Sequence, residues 1–176
     1  MKILFIRHGE TTGDIEDRYG GSYDDHLTDL GKRQLEETAE RLVGKNIEII
    51  FTSPLIRTQE ATEIINSKIN CPVEVVSGLQ ERNYGVLGGL TQAEALEKYP
   101  DVVEAHKNPL NTDPEGESFD NFKERVITTF QSLLLTKGYN TIAVVSHGGP
   151  IKQILGHLGQ PIPEKLGDGE IIELEV

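Results

Sequence analysis

Residues 2–11 read Lys2-Ile3-Leu4-Phe5-Ile6-Arg7-His8-Gly9-Glu10-Thr11. Four consecutive apolar residues are too few for a helix, and they end at a charged turn containing glycine. The run reads as a strand buried on both faces, the kind that fills the centre of a parallel sheet. Similar runs recur at Ile47–Thr52, Val73–Val76 and Thr141–Ser146. Helix patterns lie between them. Thr28–Val43 carries Leu35, Ala39, Leu42 and Val43 on one face, with Gly44 as its stop. Pro54–Ser67 is expected to start on Ser53 as N-cap and Pro54 as first helical residue, burying Ala61, Ile64 and Ile65. Thr91-Gln92-Ala93-Glu94 is a capping box opening a short helix that ends before Pro100. Ser118–Lys137 places Phe119, Phe122, Val126, Phe130, Leu133 and Leu134 at helical spacing, and Pro150–Leu158 reads as another short helix. Glu170–Val176 reads as a final strand. This alternation predicts an α/β three-layer sandwich, a mostly parallel sheet with helices on both faces. Residues 78–117, rich in Gly, Pro and Asn, are expected to form a cap-like excursion over one end of the sheet, inside a single domain spanning 1–176.

A chain of 176 residues fits one domain and is long enough for a sizeable core. Its formal charge of −12 argues against a nucleic-acid partner, because phosphate contacts need a basic stripe. No apolar stretch exceeds four residues, so no membrane span is expected. The lone Cys71 excludes an internal disulfide and a multi-cysteine zinc site. With a strand at its start, the chain is expected to lack a signal peptide and to work in the cytoplasm.

In open α/β sheets ligands bind beyond the carboxyl ends of the strands. The segments to inspect are therefore Arg7–Thr11, Ser53–Arg57, Leu79–Gly85 and Ser146–Gly149. Brought to one edge, they would put two histidines, two or three arginines and a carboxylate in a small volume. Several fixed cations in an acidic protein call for an anion, and the planar arginine fork suits phosphate. Glycines after His8 and His147 let backbone N–H groups approach that anion. A neutral imidazole can attack phosphorus while a carboxylic acid protonates the leaving oxygen. The constellation reads as phosphoryl transfer through histidine. Competing chemistries lack their residues: there is no Walker loop, no Gly-x-Ser-x-Gly elbow, and no His-x-x-x-His pair for a metal hydrolase.

Arg7-His8-Gly9-Glu10-Thr11 resembles the signature of the histidine phosphatase superfamily, which includes the phosphoglycerate mutases. Leu27-Thr28 with Gly31 and Gln34, Ser53–Thr58, Leu79–Gly85, Gly116-Glu117-Ser118 and Val145–Gly149 resemble its further motifs in the expected order. The resemblance implies a phosphoglycerate mutase-like fold and a nucleophile, His8, that becomes phosphohistidine. Arg7, Arg57 and His147 would hold the phosphoryl oxygens. Glu81 would be the general acid and base, although Glu10 and Glu117 also lie near site segments. Thr11 and the backbone at Gly148 are further candidate phosphate contacts. Arg82 is a candidate substrate contact, with a salt bridge to the acidic surface as its alternative. No metal and no cofactor are implied. The partner would be a small phosphorylated substrate.

Asp14 departs from the asparagine usual in the family, Gly20 from a glutamine, and His26 from a proline. A carboxylate near phosphate is repulsive, so Asp14 either points away, is protonated, or alters affinity. The chain is shorter than the family's mutases, and residues 100–117 offer Lys107 but no arginine pair to clamp a second anionic group. Hydrolysis of a phosphomonoester is therefore expected, with phosphoglycerate mutase as the alternative and a non-catalytic phospho-ligand binder as a third reading. Arg18-Tyr19-x-Gly21 and Asp25-x-Leu27-Thr28 resemble α-ribazole-phosphatase-like members.

Overall fold

A strand whose successive residues are all apolar can be satisfied only by covering both of its faces. Lys2–Arg7 (β1) does this: Ile3 and Phe5 join one core, Leu4 and Ile6 the other. The computed structural model describes residues 1–135 and 138–176. After β1 come α1 (Thr12–Ile15), α2 (Asp29–Leu42), β2 (Ile49–Thr52), α3 (Ile56–Ile69) and β3 (Val73–Val75). The excursion carries α4 (Gln92–Lys98) and α5 (Pro100–His106). The chain closes with α6 (Phe119–Leu134), β4 (Thr141–Ser146), α7 (Gly148–His157) and β5 (Ile171–Glu175).

The five strands lie in the order β3-β2-β4-β1-β5, the first four parallel and β5 antiparallel to β1. Helices α2 and α3 cover one face through Leu35, Ala39, Leu42, Ala61 and Ile65. Helices α6 and α7 cover the other through Phe122, Val126, Phe130, Ile151 and Ile154. Each of the Leu, Ile, Val and Phe side chains among these, taken fully out of water, contributes about 1.5–3 kcal/mol before conformational entropy opposes it. The fold is α/β with three layers. Among the described residues, no helix is long and apolar enough to cross a membrane.

Register is what positions the site. Arg7 pairs with Ser146 across β1 and β4, so the next residues, His8 and His147, sit side by side. Thr52 pairs with Val145 and with Val75, which brings Ser53 and the chain after β3 to the same edge. Gly9 and Gly31 then let the loop after β1 lie flush on the start of α2. A Cβ on Gly9 would enter the backbone of Gly31, and one on Gly31 would enter that of Glu10.

Several boundaries differ from expectation for stated reasons. Helix α3 begins at Ile56 after Leu55, not at Pro54: the Ser53 hydroxyl meets His147 and only distantly Leu55 N–H, at 3.4 Å, while Ile56 N–H donates to Asp24 Oδ1 at 2.6 Å. The residues before α2 form the unanticipated four-residue α1. Pro100 does not merely end α4; it is the first residue of α5. Strand β3 is an exposed edge with Val73 and Val75 facing solvent. The expected extension of α6 to Lys137 falls outside the described residues.

The excursion lies against the chain after α1. Tyr19 N–H donates to Leu90 O, Gly89 N–H to Tyr19 O and Gln92 N–H to Asp17 O, all within 3.0 Å. The capping box at Thr91 and Glu94 is formed.

Candidate active site

A cavity of about 570 Å³ opens at the carboxyl edge of the sheet. Arg7, His8, Arg57, Glu81 and Gly148 all line it. The His8 ring is nearly sealed from solvent, and its Nδ1 lies 2.8 Å from Gly9 O. A carbonyl accepts but cannot donate, so Nδ1 carries the proton and Nε2 keeps its lone pair. Burial, then the Arg57 and Arg7 charges, lower the His8 pKa to about 3 against the raising effect of the Gly9 bond. The imidazole is therefore neutral across the physiological range, with Nε2 available as a nucleophile.

The two arginines are held in place by oxygen atoms of the protein. Arg7 Nη1 donates to Leu166 O at 2.5 Å and lies 2.8 Å from Asp168 Oδ1, which leaves Nε and Nη2 without hydrogen-bond partners among the described residues. Burial pushes the Asp168 carboxyl up despite Arg7, with Asp14 and Glu10 adding to the rise. Arg57 is more fully engaged: Nη1 donates to Tyr23 O and Asp25 Oδ1, Nη2 to Gly21 O, and Nε to His147 Nδ1. One of its five N–H groups remains. Arg7 thus offers the fork and Arg57 offers mainly a fixed charge.

His147, expected to hold a phosphoryl oxygen, lies behind the cavity wall. Its Nδ1 accepts from Arg57, so Nε2 carries the proton and donates to Ser53 Oγ at 2.7 Å. Burial, followed by the Arg57 charge, keeps this imidazole neutral, its pKa well below the usual value. Its ring meets that of His8 edge-on, 5.2 Å between centroids. In this arrangement it orients Arg57 and supports His8.

Thr11 and Asp14 both line the cavity, but they face each other. Asp14 Oδ2 accepts from the N–H and hydroxyl of Thr11 at 2.8 and 2.9 Å, and Asp14 N–H donates to Thr11 Oγ1. This is a reciprocal cap on α1. It engages both donors of Thr11, contrary to the expectation of a phosphate contact. The spacing Thr11-x-x-Asp14 could have signalled it.

Arg82 also corrects the expectation. Its guanidinium is buried beneath the excursion, donating to the carbonyls of Glu117, Pro109 and Asn111 at 2.9, 2.5 and 2.5 Å. It neither lines the cavity nor pairs with a surface acid.

Of the three carboxylates near the site segments, Glu81 alone among them lines the cavity. Its Oε1 accepts from Arg82 N–H and its Oε2 from Gly149 N–H, both at 2.8 Å. Glu10 accepts from the Thr28 hydroxyl, and Glu117 forms a fork with Arg125. Gly149 is required by this seat, since a Cβ there would enter the Glu81 carboxylate. Gly148 lines the cavity with no atom within 4 Å of its own Cβ position except Arg7 Nε, at that limit. The start of α7 therefore suits an anion.

Sequence reading missed Asp25, Asp168 and Ser53 as partners of the site residues, and Arg18, Lys152, Lys165 and Tyr84 as cavity walls. Asp25 at least sat inside a noted pattern; Asp168 had no local signal. Among the described residues, no group of three or more His, Cys, Asp or Glu is arranged to hold a metal ion.

The profile of the histidine phosphatase superfamily, branch 1, matches residues 3–171. The chain belongs to the histidine phosphatase superfamily. Over 162 residues it is 28% identical to the uncharacterized phosphatase PhoE of Bacillus subtilis, covering 92% of this chain and 79% of that protein. Over 171 residues it is 30% identical to a 2,3-bisphosphoglycerate-dependent phosphoglycerate mutase of Cytophaga hutchinsonii, covering 93% of this chain and 80% of the relative. In three dimensions it is similar to the alpha-ribazole phosphatase from Shigella flexneri. That match has a TM-score of 0.90 at 23% identity, over 100% of this chain and 91% of that one. The last likeness concerns the fold. Membership in the superfamily covers both phosphatases and mutases.

Proposed function

We propose that this chain is a metal-independent phosphomonoesterase for a small phosphorylated metabolite, acting through phosphohistidine on His8. The observation that carries this reading is a neutral His8 whose Nε2 keeps its lone pair, under the charges of Arg57 and Arg7 and sharing their cavity with Glu81. Nε2 attacks phosphorus as the bond to the ester oxygen breaks, and Glu81, as a carboxylic acid, gives that oxygen its proton. The Nδ1–H bond to Gly9 O supports the imidazolium so formed. Glu81, now a carboxylate, takes a proton from the water that attacks phosphohistidine, releasing inorganic phosphate and restoring both side chains. Arg7 and the remaining Arg57 N–H act on the charge of the transferring group; such donors contribute about 3–4 kcal/mol each to transition-state binding.

The mutase relative favours a second reading, phosphoryl-transferring isomerisation. Against it stands the supply of cations on the excursion. Lys107 is exposed and pairs with Glu104, and Arg82 is engaged by three carbonyls. No cation of the excursion lines the cavity, Lys98 included, so a second anionic group would have to rely on Arg18, Lys152 or Lys165 from other segments. A panel of phosphorylated metabolites, both phosphoglycerates included, incubated with EDTA and followed for phosphate and isomer composition, separates the readings. Phosphate release is expected, unaffected by EDTA. His8→Ala is expected to reduce it roughly 10⁴- to 10⁶-fold, the range for loss of a nucleophile. Isomer exchange faster than release would move the chain to the mutases. Stoichiometric binding with no turnover would make it a phospho-ligand binder.

A further inference from the structure

Glu81 sits on irregular chain, yet the three carbonyls before it are all engaged. Arg125 on α6 donates Nη1 to Gly78 O and to Gln80 O, each at 3.0 Å. Ser146 at the end of β4 donates its hydroxyl to Leu79 O at 2.7 Å. The other edge of the Arg125 guanidinium grips the Glu117 carboxylate as a fork, Nε to Oε1 at 2.8 Å and Nη2 to Oε2 at 2.7 Å. Glu117 then reaches the far side of Glu81, since its N–H donates to Asn83 O and its carbonyl accepts from Arg82 Nε. Gly78 is pressed on α6 so closely that a Cβ would enter the Thr129 side chain. Arg125 itself does not line the cavity.

We propose that Arg125 is a positioning residue for Glu81, fixing the carboxyl at the cavity by holding the chain on both sides of it. The proposal rests on Glu81 being the general acid of the reaction proposed above. A planar fork with donors on both edges is needed, because it must meet a carboxylate and two carbonyls at once. A lysine ammonium supplies its donors from a single atom and cannot span them. Displacing a catalytic group by an ångström commonly costs up to about 100-fold in rate.

The test is kcat/KM toward an alkyl phosphate and toward p-nitrophenyl phosphate, whose leaving group needs little protonation. Arg125→Lys is measured in the wild-type and Glu81→Gln backgrounds, with thermal melting as the check on folding. Arg125→Lys is expected to lower kcat/KM for the alkyl ester roughly 10- to 100-fold and to affect the nitrophenyl ester far less. In the Glu81→Gln background it is expected to change neither further, which is the non-additivity of groups acting through one another. Glu117→Gln, a milder change, is expected to give the same ester-selective loss and carries the test should Arg125→Lys fail to fold. Equal losses on both esters, or the same factor in both backgrounds after Glu81→Gln has itself slowed the alkyl ester, would overturn the proposal alone. Undiminished alkyl-ester turnover in Glu81→Gln would overturn the reading of Glu81 and the proposal together.

Discussion

Arg7 and His8 stand at the end of β1, and Arg57 follows β2, so their wall inherits its shape from a hydrogen-bonded parallel register. The wall bearing Glu81 has no such ladder and is tied down by side chains that donate to carbonyls. The first arrangement buries ring nitrogens and guanidinium groups among strand ends, at an electrostatic cost. The second leaves the Glu81 carboxyl on a seat of two backbone N–H groups, that of Gly149 at the start of α7 and that of the adjacent Arg82, adjustable through a few side chains. In the proposed reaction, phosphate capture and proton delivery thus rest on separate supports that meet in one cavity.

The largest expected difference between the walls is in acid. His8 and His147 are held neutral in the folded protein but regain a pKa near 6.5 when unfolded. Below that value the unfolded chain binds more protons, so stability rises with pH and is lost as pH falls from about 6.5 toward 3 for His8. Each histidine contributes a slope of up to about 1.4 kcal/mol per pH unit. Urea unfolding of His8→Asn between pH 7 and 5 should show a pH dependence flatter by about that amount. Parallel curves for variant and wild type would mean that His8 is not held neutral by the fold.

Two adjacent glycines offer a sharper comparison. Gly149→Ala places a methyl group in the Glu81 carboxylate, whereas Gly148→Ala meets open space beside Arg7. The first should reduce kcat/KM on alkyl phosphates roughly 10- to 100-fold with little change in melting. The second should act less on that ratio and more on inhibition by inorganic phosphate. Identical profiles would erase the distinction between the walls.

Asp14 gives the smallest effect. Asp14→Asn keeps an oxygen for the Thr11 cap and removes a negative charge from the cavity wall. Competitive inhibition by inorganic phosphate should tighten about three- to tenfold, with α1 intact. An unchanged inhibition constant would show that the carboxylate is fully offset by its bonds to Thr11.

Much of this is legible in the amino-acid sequence. Apolar runs too short for helices, separated by amphipathic stretches, are a local signal, and they marked the four parallel strands. The chemistry-bearing residues lie directly after those strands, so a parallel sheet was enough to bring His8, Arg57, Glu81 and His147 to one edge. Less legible was the assignment of each donor. Ser53 looked like a helix cap but bonds His147, 94 residues away in sequence. Arg82 looked like a ligand but braces carbonyls 27, 29 and 35 residues downstream.

Local pattern in the amino-acid letters places the five strands and the longer helices along the chain and names the residues at strand ends, because periodicity and turn chemistry act over a few neighbours. Which polar atoms remain free to meet a phosphate depends on packing between segments far apart in the chain. A hydrogen-bond donor is used up by whichever acceptor the fold brings to it. Here those acceptors are mostly backbone carbonyls from distant segments, which carry no mark in the amino-acid letters.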